Sequence, residues 1–364
     1  MLTVIDEYDK SIADNMEGEE NKWKTGNEEL PFNGRHPAVS IIIPVYNVKP
    51  YLKACLDSLL AQSFVNWEAL CVDDGSTDGS GAMLDQYAVE DGRFRVIHQA
   101  NRGVSVARNE GLKHACGTYV MMVDSDDWIE PDMVASIVGM MEETGVELGM
   151  CGRFHHEPSG EVLKILPRAC FFIAGEVYSI QELRPGLRKE IPPYVCMKIF
   201  RSSLIDELEL SFLPGVKISE DMEFMMRYLS CCTHIAYLNK PLYHYRRCVG
   251  ITDTLAAGKV SAEDVTDLAP VMRSLCTLSA GACLSRDQKR GFYLMLLQSV
   301  LDHCSCVRYL ASFLPPLPSS STGFPWRVII GLLFKVPPVE GMRLIVKFWF
   351  PGFTGFIRKF FPIR

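Results

Sequence analysis

The chain has 364 residues, 48% hydrophobic and 22% charged, which suits a globular protein with one large core or two modest ones and excludes disorder throughout. A formal net charge of -7 opposes a generic nucleic-acid binder, because phosphate backbones reward basic surfaces. Thirteen scattered cysteines, with no Cys-x-x-Cys pairs of zinc spacing and no signal peptide over residues 1–10, read as reduced thiols of a cytoplasmic protein.

Residues 1–37 open the chain as an acidic, disordered extension; residues 1–36 hold nine acidic and four basic side chains with little periodicity. Val-Ser-Ile-Ile-Ile-Pro-Val at 39–45 follows, a β-branched run of the kind buried in a parallel sheet. Leu52, Cys55, Leu56, Leu59 and Leu60 recur at helical spacing, and residues 67–72 form a second strand, giving a βαβ unit. That strand runs into Asp73-Asp74-Gly75-Ser76-Thr77-Asp78-Gly79, whose residue types favour turns and leave carboxylates at a sheet's carboxyl edge, where open α/β sheets bind ligands. A third strand over 94–98 leads through Asn101-Arg102-Gly103 into a helix carrying Ala107-Arg108-Asn109, and a fourth strand over 119–123 ends at Asp124-Ser125-Asp126-Asp127-Trp128. Three carboxylates in four positions repel one another, so a cation is the natural neutraliser and the segment is a candidate metal site. An EF-hand loop is excluded, since Ile129 stands where glycine is required and Trp128 at the fifth position. There is no Walker loop and no Gly-x-Gly-x-x-Gly fingerprint.

Pro44-Val45-Tyr46-Asn47, Val72-Asp73-Asp74-Gly75-Ser76-Thr77-Asp78, Asn101-x-Gly103 with Ala107-Arg108-Asn109, and Asp124-Ser125-Asp126-Asp127 together resemble the ordered signature of family 2 glycosyltransferases. Further on, the segment around Lys198, the pair Glu220-Asp221 and Tyr243-His244-Tyr245-Arg246-Arg247 resemble parts of bacterial capsule, lipopolysaccharide and exopolysaccharide transferases. The resemblance covers residues 38–252 and implies a GT-A fold, an α/β nucleotide-sugar-binding architecture with a Rossmann-like, mostly parallel sheet and flanking helices. Residues 38–130 would be its nucleotide-binding half and 131–252 its acceptor half.

It also implies roles. Asp126 would ligate Mn²⁺ or Mg²⁺ bridging the donor diphosphate, with Asp124 on the ribose or a metal-bound water; both metals prefer oxygen ligands. Asp127 either joins them or stabilises the following turn. Asp74 would accept from the uracil NH while Tyr46 and the Pro44 backbone flank the ring, with Asn47 and Ser125 also on the donor. Turn chemistry is the competing reading for Asp73, Asp74 and Asp78. Arg108 either orients the diphosphate or pairs with Asp124 or Asp74. Asp221 would be the general base of an inverting transfer, although a carboxylate there also looks like a helix cap. Glu220 would hold the acceptor or Asp221, Lys198 and Arg246 would have acceptor or supporting roles, and Arg246 with Arg247 would also suit a grip on the diphosphate. His244 would be either a further metal ligand, as a late histidine is in some relatives, or a satisfied histidine, the position usually being aromatic in the motif it resembles. The donor implied is a UDP-hexose or UDP-N-acetylhexosamine, and the acceptor a glycan or lipid-linked saccharide of surface polysaccharide synthesis. A polyprenyl-phosphate transferase and an inactive sugar-nucleotide-binding protein are the alternatives.

Residues 253–364 read as a helical, amphipathic region ending in a tail, 326–364, with seven basic residues, one acidic residue and nine large aromatics. No apolar run reaches the roughly 18 residues of a spanning helix. The tail suits an anionic membrane surface, placing the protein on the inner face of the cell membrane; packing of its aromatics on the core is the competing reading.

Overall fold

The computed structural model describes residues 36–157, 162–166, 176–180, 191–216 and 219–246, together with Val271 and Ser274. The readings of the acidic extension and of the tail at 326–364 lie outside the described residues.

Strand β1 (Val39–Val45) is buried at all seven positions, as an apolar run bounded on both faces must be. It pairs in parallel with β2 (Trp67–Asp73) on one side and β4 (Tyr119–Met122) on the other, and β2 pairs in parallel with β3 (Phe94–His98). The connecting helices are α1 (Lys49–Leu60), α2 (Ser80–Glu90) and α3 (Val104–His114). The order β3-β2-β1-β4 reverses at β1, so the crevice beyond the carboxyl ends of β1 and β4 is a topological switch point, the place where such sheets take ligands.

Beyond β4 the sheet continues β9-β6-β10-β5. Strand β9 (Lys198–Arg201) runs antiparallel to both β4 and β6 (Leu148–His156), whereas β6 and β10 (His234–Arg246) are parallel and the short β5 (Trp128–Ile129) is antiparallel to β10. Strands β7 (Val162–Leu166) and β8 (Val177–Ser179) pair with β6 and β10 respectively. The pairing of β10 with β6 shifts register on either side of Pro241, where proline has no N–H for the ladder.

Side-chain alternation along β1 divides the interior. Val39, Ile41, Ile43 and Val45 pack with Leu52, Leu56 and Leu59 of α1 and with α4 (Met133–Thr144). Ile42 joins Leu70, Val120 and Phe200 against Phe224 and Tyr228 of α6 (Glu220–Cys231), with α5 (Ser202–Glu207) at the edge of that cluster. Helix α3 lies close on the same face: a Cβ at Gly111 would come within 2.5 Å of Ile42 Cγ2. Among the described residues, no helix is long and apolar enough to cross a membrane.

Candidate active site

Arg108 of α3 stands at the crevice with 4% of its surface exposed. Its Nη2 donates to Asp124 Oδ1 at 3.0 Å, and its Nη1 to Asp221 Oδ1 at 2.7 Å and Glu220 Oε1 at 3.2 Å. Of the two sequence readings, the ion pair with Asp124 is present, and Asp74 is not a partner. One guanidinium therefore ties the acidic loop after β4 to the first turn of α6. Burial lowers the Arg108 pKa, and the charges of Asp221, Asp124 and Glu220 reverse this and raise it. Burial, then the Asp221 charge, lifts Glu220 to about 7. Asp221 is raised as well, by burial first and then by Asp124, with Arg108 opposing.

Asp221 does not cap its own helix. Its Oδ1 is held by Arg108 and its Oδ2 accepts the Val195 N–H at 3.2 Å, while Ser219 before α6 makes no side-chain cap bond. Each carboxylate oxygen keeps a further lone pair for an incoming proton.

The acidic loop is clamped from β10. Tyr243 Oη accepts the Asp124 N–H at 3.2 Å and donates to Asp127 Oδ2 at 2.7 Å, and Asp127 Oδ1 accepts the Arg246 N–H at 2.7 Å. Asp127, 1% exposed, therefore holds the turn. Its pKa is driven well up by burial and by the Asp126 and Asp124 charges. Arg246 Nε donates to the Asp126 carbonyl at 3.1 Å, and its guanidinium lies over Trp128 and Tyr51 at 4.7 and 4.9 Å. Arg246 thus binds the loop, and Arg247 lies outside the described residues. Ser125 is buried, whereas Asp124 and Asp126 are half-buried.

At the β1–β2 edge, Asp74 Oδ1 accepts from Gln99 Nε2 at 2.6 Å and Arg102 N at 2.8 Å, and its Oδ2 from Gly103 N at 2.8 Å. Asp74 thereby sets the entry to α3 and, through it, the place of Arg108. Asn47, in the left-handed region at φ 50°, accepts the Thr77 N–H at 2.8 Å, and its own N–H donates to Ser76 Oγ at 3.1 Å. Asp73 accepts from Ser76 N, and Asp78 from Lys49 N and Ser80 N, so these two perform turn and helix-start chemistry. Tyr46, beside Pro44, is 52% exposed over the crevice edge and free to flank a planar ring.

Lys198 is buried, and its ammonium donates to the Tyr194 carbonyl. Burial is the main cause that brings its pKa down to about 8. Both ring nitrogens of His244 are engaged, Nδ1 with His156 Nε2 at 2.8 Å and Nε2 with Glu130 Oε1 at 2.7 Å, which fits the satisfied histidine. Its ring stacks between Trp128 and Phe154 at 4.8 and 4.5 Å. Burial lowers its pKa. The sequence reading missed this stack and Arg153 beside Tyr194, because β6 carries no motif; the alternation of Phe154 and His156 with Arg153 and His155 was the available signal.

Carboxylates outnumber the cation that binds them here, and after burial the Asp126 and Asp124 charges add to the raising of Asp127. Hard oxygen donors with a negative surplus fit Mg²⁺ or Mn²⁺, which take one or two carboxylates and complete their shell with phosphate oxygens and water. No group of three or more protein ligands converges among the described residues, so any such ion would depend on its substrate.

Residues 40–208 match the family model described as "Glycosyl transferase family 2". The chain is 35% identical over 214 residues to "Uncharacterized glycosyltransferase EpsJ" of Bacillus subtilis, covering 58% of this chain and 61% of that protein, so it spans about three fifths of that relative's length. A crystal structure of S. aureus TarS residues 1–349 with UDP-GlcNAc superposes with a TM-score of 0.63 at 22% identity, over 82% of this chain and 81% of that one. A mannosyltransferase from Pyrobaculum calidifontis in complex with GDP-Man and Mn²⁺ gives a TM-score of 0.52 at 16% identity, over 90% of this chain and 92% of that one. At these identities the two structures establish the likeness of fold.

Proposed function

From the match of residues 40–208 to the glycosyl transferase family 2 model, we propose that this chain is an inverting transferase of that family that moves a hexose or N-acetylhexosamine from a UDP-linked donor to a glycan or lipid-linked saccharide acceptor. The observation that carries the reading is Arg108, which joins Asp124 on the donor side to Asp221 and Glu220 on the acceptor side within one hydrogen-bonded group.

In this reading the uracil lies between Tyr46 and the carboxyl end of β2, near Asp74, with Asn47 and Ser125 completing the donor contacts. Asp126 and Asp124 would hold Mn²⁺ or Mg²⁺ against the diphosphate. Such an ion, when bound, neutralises the charge that develops on the leaving diphosphate. Asp221 takes the proton of the acceptor hydroxyl as that oxygen bonds to the anomeric carbon and the bond from that carbon to the diphosphate breaks. Its raised pKa suits the task, because a base tuned upward holds the proton better near neutral pH. Glu220 and Arg108 keep Asp221 in place, and Lys198 holds the 194–195 peptide whose N–H Asp221 accepts. The reported complex of TarS with UDP-GlcNAc supports a UDP donor, and the Mn²⁺ complex of the mannosyltransferase supports the metal.

A nucleoside-diphosphate-release assay with a panel of UDP- and GDP-linked sugars, with and without Mn²⁺, tests the reading. Metal-dependent release from at least one UDP-sugar is expected. Tight binding of the whole panel with no release would make the protein a sugar-nucleotide binder without transfer.

A further inference from the structure

Arg153 differs from Arg108 and Arg246, the two arginines that bind the acidic loop. It lies on β6 opposite Tyr243 in the parallel register with β10. Residues in register on neighbouring strands share a sheet face, so Arg153 is on the face from which Tyr243 clamps Asp124 and Asp127. Its guanidinium carbon is 4.8 Å from the Tyr194 ring centroid and 5.4 Å from that of Tyr245. Arg108 has carboxylate partners and Arg246 is bonded to the acidic loop. Among the described residues no carboxylate pairs with Arg153, and its guanidinium donates to no acceptor. A guanidinium resting on aromatic rings keeps its in-plane N–H fork for carboxylate or phosphate oxygens.

The neighbourhood leads to the base. The Tyr194 carbonyl accepts from Lys198, and the next residue, Val195, donates its N–H to Asp221 Oδ2. Consecutive Cα atoms are about 3.8 Å apart, so the ring beside Arg153 and the N–H on Asp221 belong to adjoining residues. Lys198 adds a second cation on this side, and the Arg153 charge contributes, after burial, to lowering its pKa. Tyr194 is 36% exposed and offers a ring face for a sugar to stack on.

We propose that Arg153, flanked by Tyr194 and Tyr245, is a subsite for an oxyanion, carboxylate or phosphate, carried by the acceptor. The inference rests on the transferase reading above and narrows its acceptor class to an anionic saccharide. The oxyanion has two possible sources: an acidic sugar residue, or the diphosphate of a lipid-linked acceptor.

Saturation-transfer NMR on the full chain, with the donor site filled by UDP and Mn²⁺, tests it with methyl β-glucuronide, methyl β-glucoside and farnesyl diphosphate-linked N-acetylglucosamine as probes. Binding of the glucuronide assigns an acidic sugar, binding of the diphosphate assigns the lipid-linked source, and the glucoside should give little signal. Arg153→Gln should weaken the anionic probe about tenfold or more, as loss of a charge-assisted pair does, and Arg153→Lys should lie between the two. UDP affinity by calorimetry separates the failures. Wild-type protein that does not bind UDP overturns the transferase reading itself. Intact UDP binding with no anionic probe bound, with glucoside bound equally well, or with anion binding unchanged in Arg153→Gln overturns the subsite alone. If Arg153→Gln loses UDP binding through misfolding, Arg153→Lys decides: reduced anion affinity at unchanged UDP affinity supports the subsite, and unchanged anion affinity overturns it.

Discussion

Asp126 is half-buried in the loop between Asp124, bonded to Arg108, and Asp127, bonded to Tyr243 and Arg246, and as the last carboxylate of Asp124-Ser125-Asp126 it is the metal ligand we propose. Asp126→Ala is expected to abolish the Mn²⁺-dependent part of UDP binding, a loss of several kcal/mol of leaving-group stabilisation, and to leave the melting temperature nearly unchanged. Calorimetry with UDP in Mn²⁺ and in chelator checks this; equal metal dependence in the mutant contradicts it. At this scale the sequence was informative where chemistry is concentrated in short motifs, as at Asp124, Arg108 and Asp221, which the structure brings together. It was silent where function depends on a partner far along the chain. Asp127 reads equally as a third ligand and as a turn stabiliser until Tyr243, 116 residues away, is seen to bond it. Arg153 has no local pattern to mark it.

Among the elements, α3 matters most to the site because it carries Arg108, and its entry is set by Asp74 through Gly103 at φ 88°. A Cβ there would meet nothing within 4 Å, so the cost of a side chain is conformational alone. Gly103→Ala should therefore cost about 1–3 kcal/mol, read as a lowered urea midpoint; an unchanged midpoint would show that the α3 entry tolerates other backbone angles. Helix α2 is tied to the sheet by His98, whose Nδ1 lies 2.9 Å from Asp73 and Nε2 3.0 Å from Asp85. Hydrogen bonds donated by its ring to Asp73 and then to Asp85 raise the His98 pKa above 6.5. A raised histidine contributes stability that is fully present below its unfolded value and fades as pH climbs through its folded one. Wild type should exceed His98→Gln in urea midpoint at pH 6, with the gap closing above 6.5 as the ring loses its proton. A gap that widens with pH contradicts the assignment. Strands β1 to β4 and helices α1 and α3 were legible because buried apolar runs and acidic turns alternate regularly. Strands β6 and β9 were not, since the antiparallel insertion of β9 between β4 and β6 depends on long-range pairing that no period-2 pattern announces.

For the whole molecule, the fold brings to one crevice groups from the loop after β4, from α3, from α6 and from β10, so the donor and acceptor groups we propose lie together at the switch point. The basic and aromatic composition of residues 326–364 leads us to propose that the tail adheres to anionic bilayers, at about 1 kcal/mol per basic residue near the surface. Full-length protein should sediment with phosphatidylserine vesicles and be partly released by high salt, since screening sets in over about 10 Å at 0.1 M. A chain ending near Ser320 should stay in the supernatant and still bind UDP. Full-length protein that ignores vesicles, or a truncated chain that unfolds, would assign the tail to core packing.

The account turns on Asp221 acting as a base across the crevice from the donor loop, rather than as a piece of the α6 terminus. Turnover and UDP-sugar affinity of Asp221→Asn, measured side by side at saturating acceptor, test this most directly. Asparagine can still accept from Arg108 but is a poor proton acceptor, so turnover should fall about 10²-fold or more while donor affinity stays near wild type. Turnover close to wild type would contradict the account and move the base elsewhere.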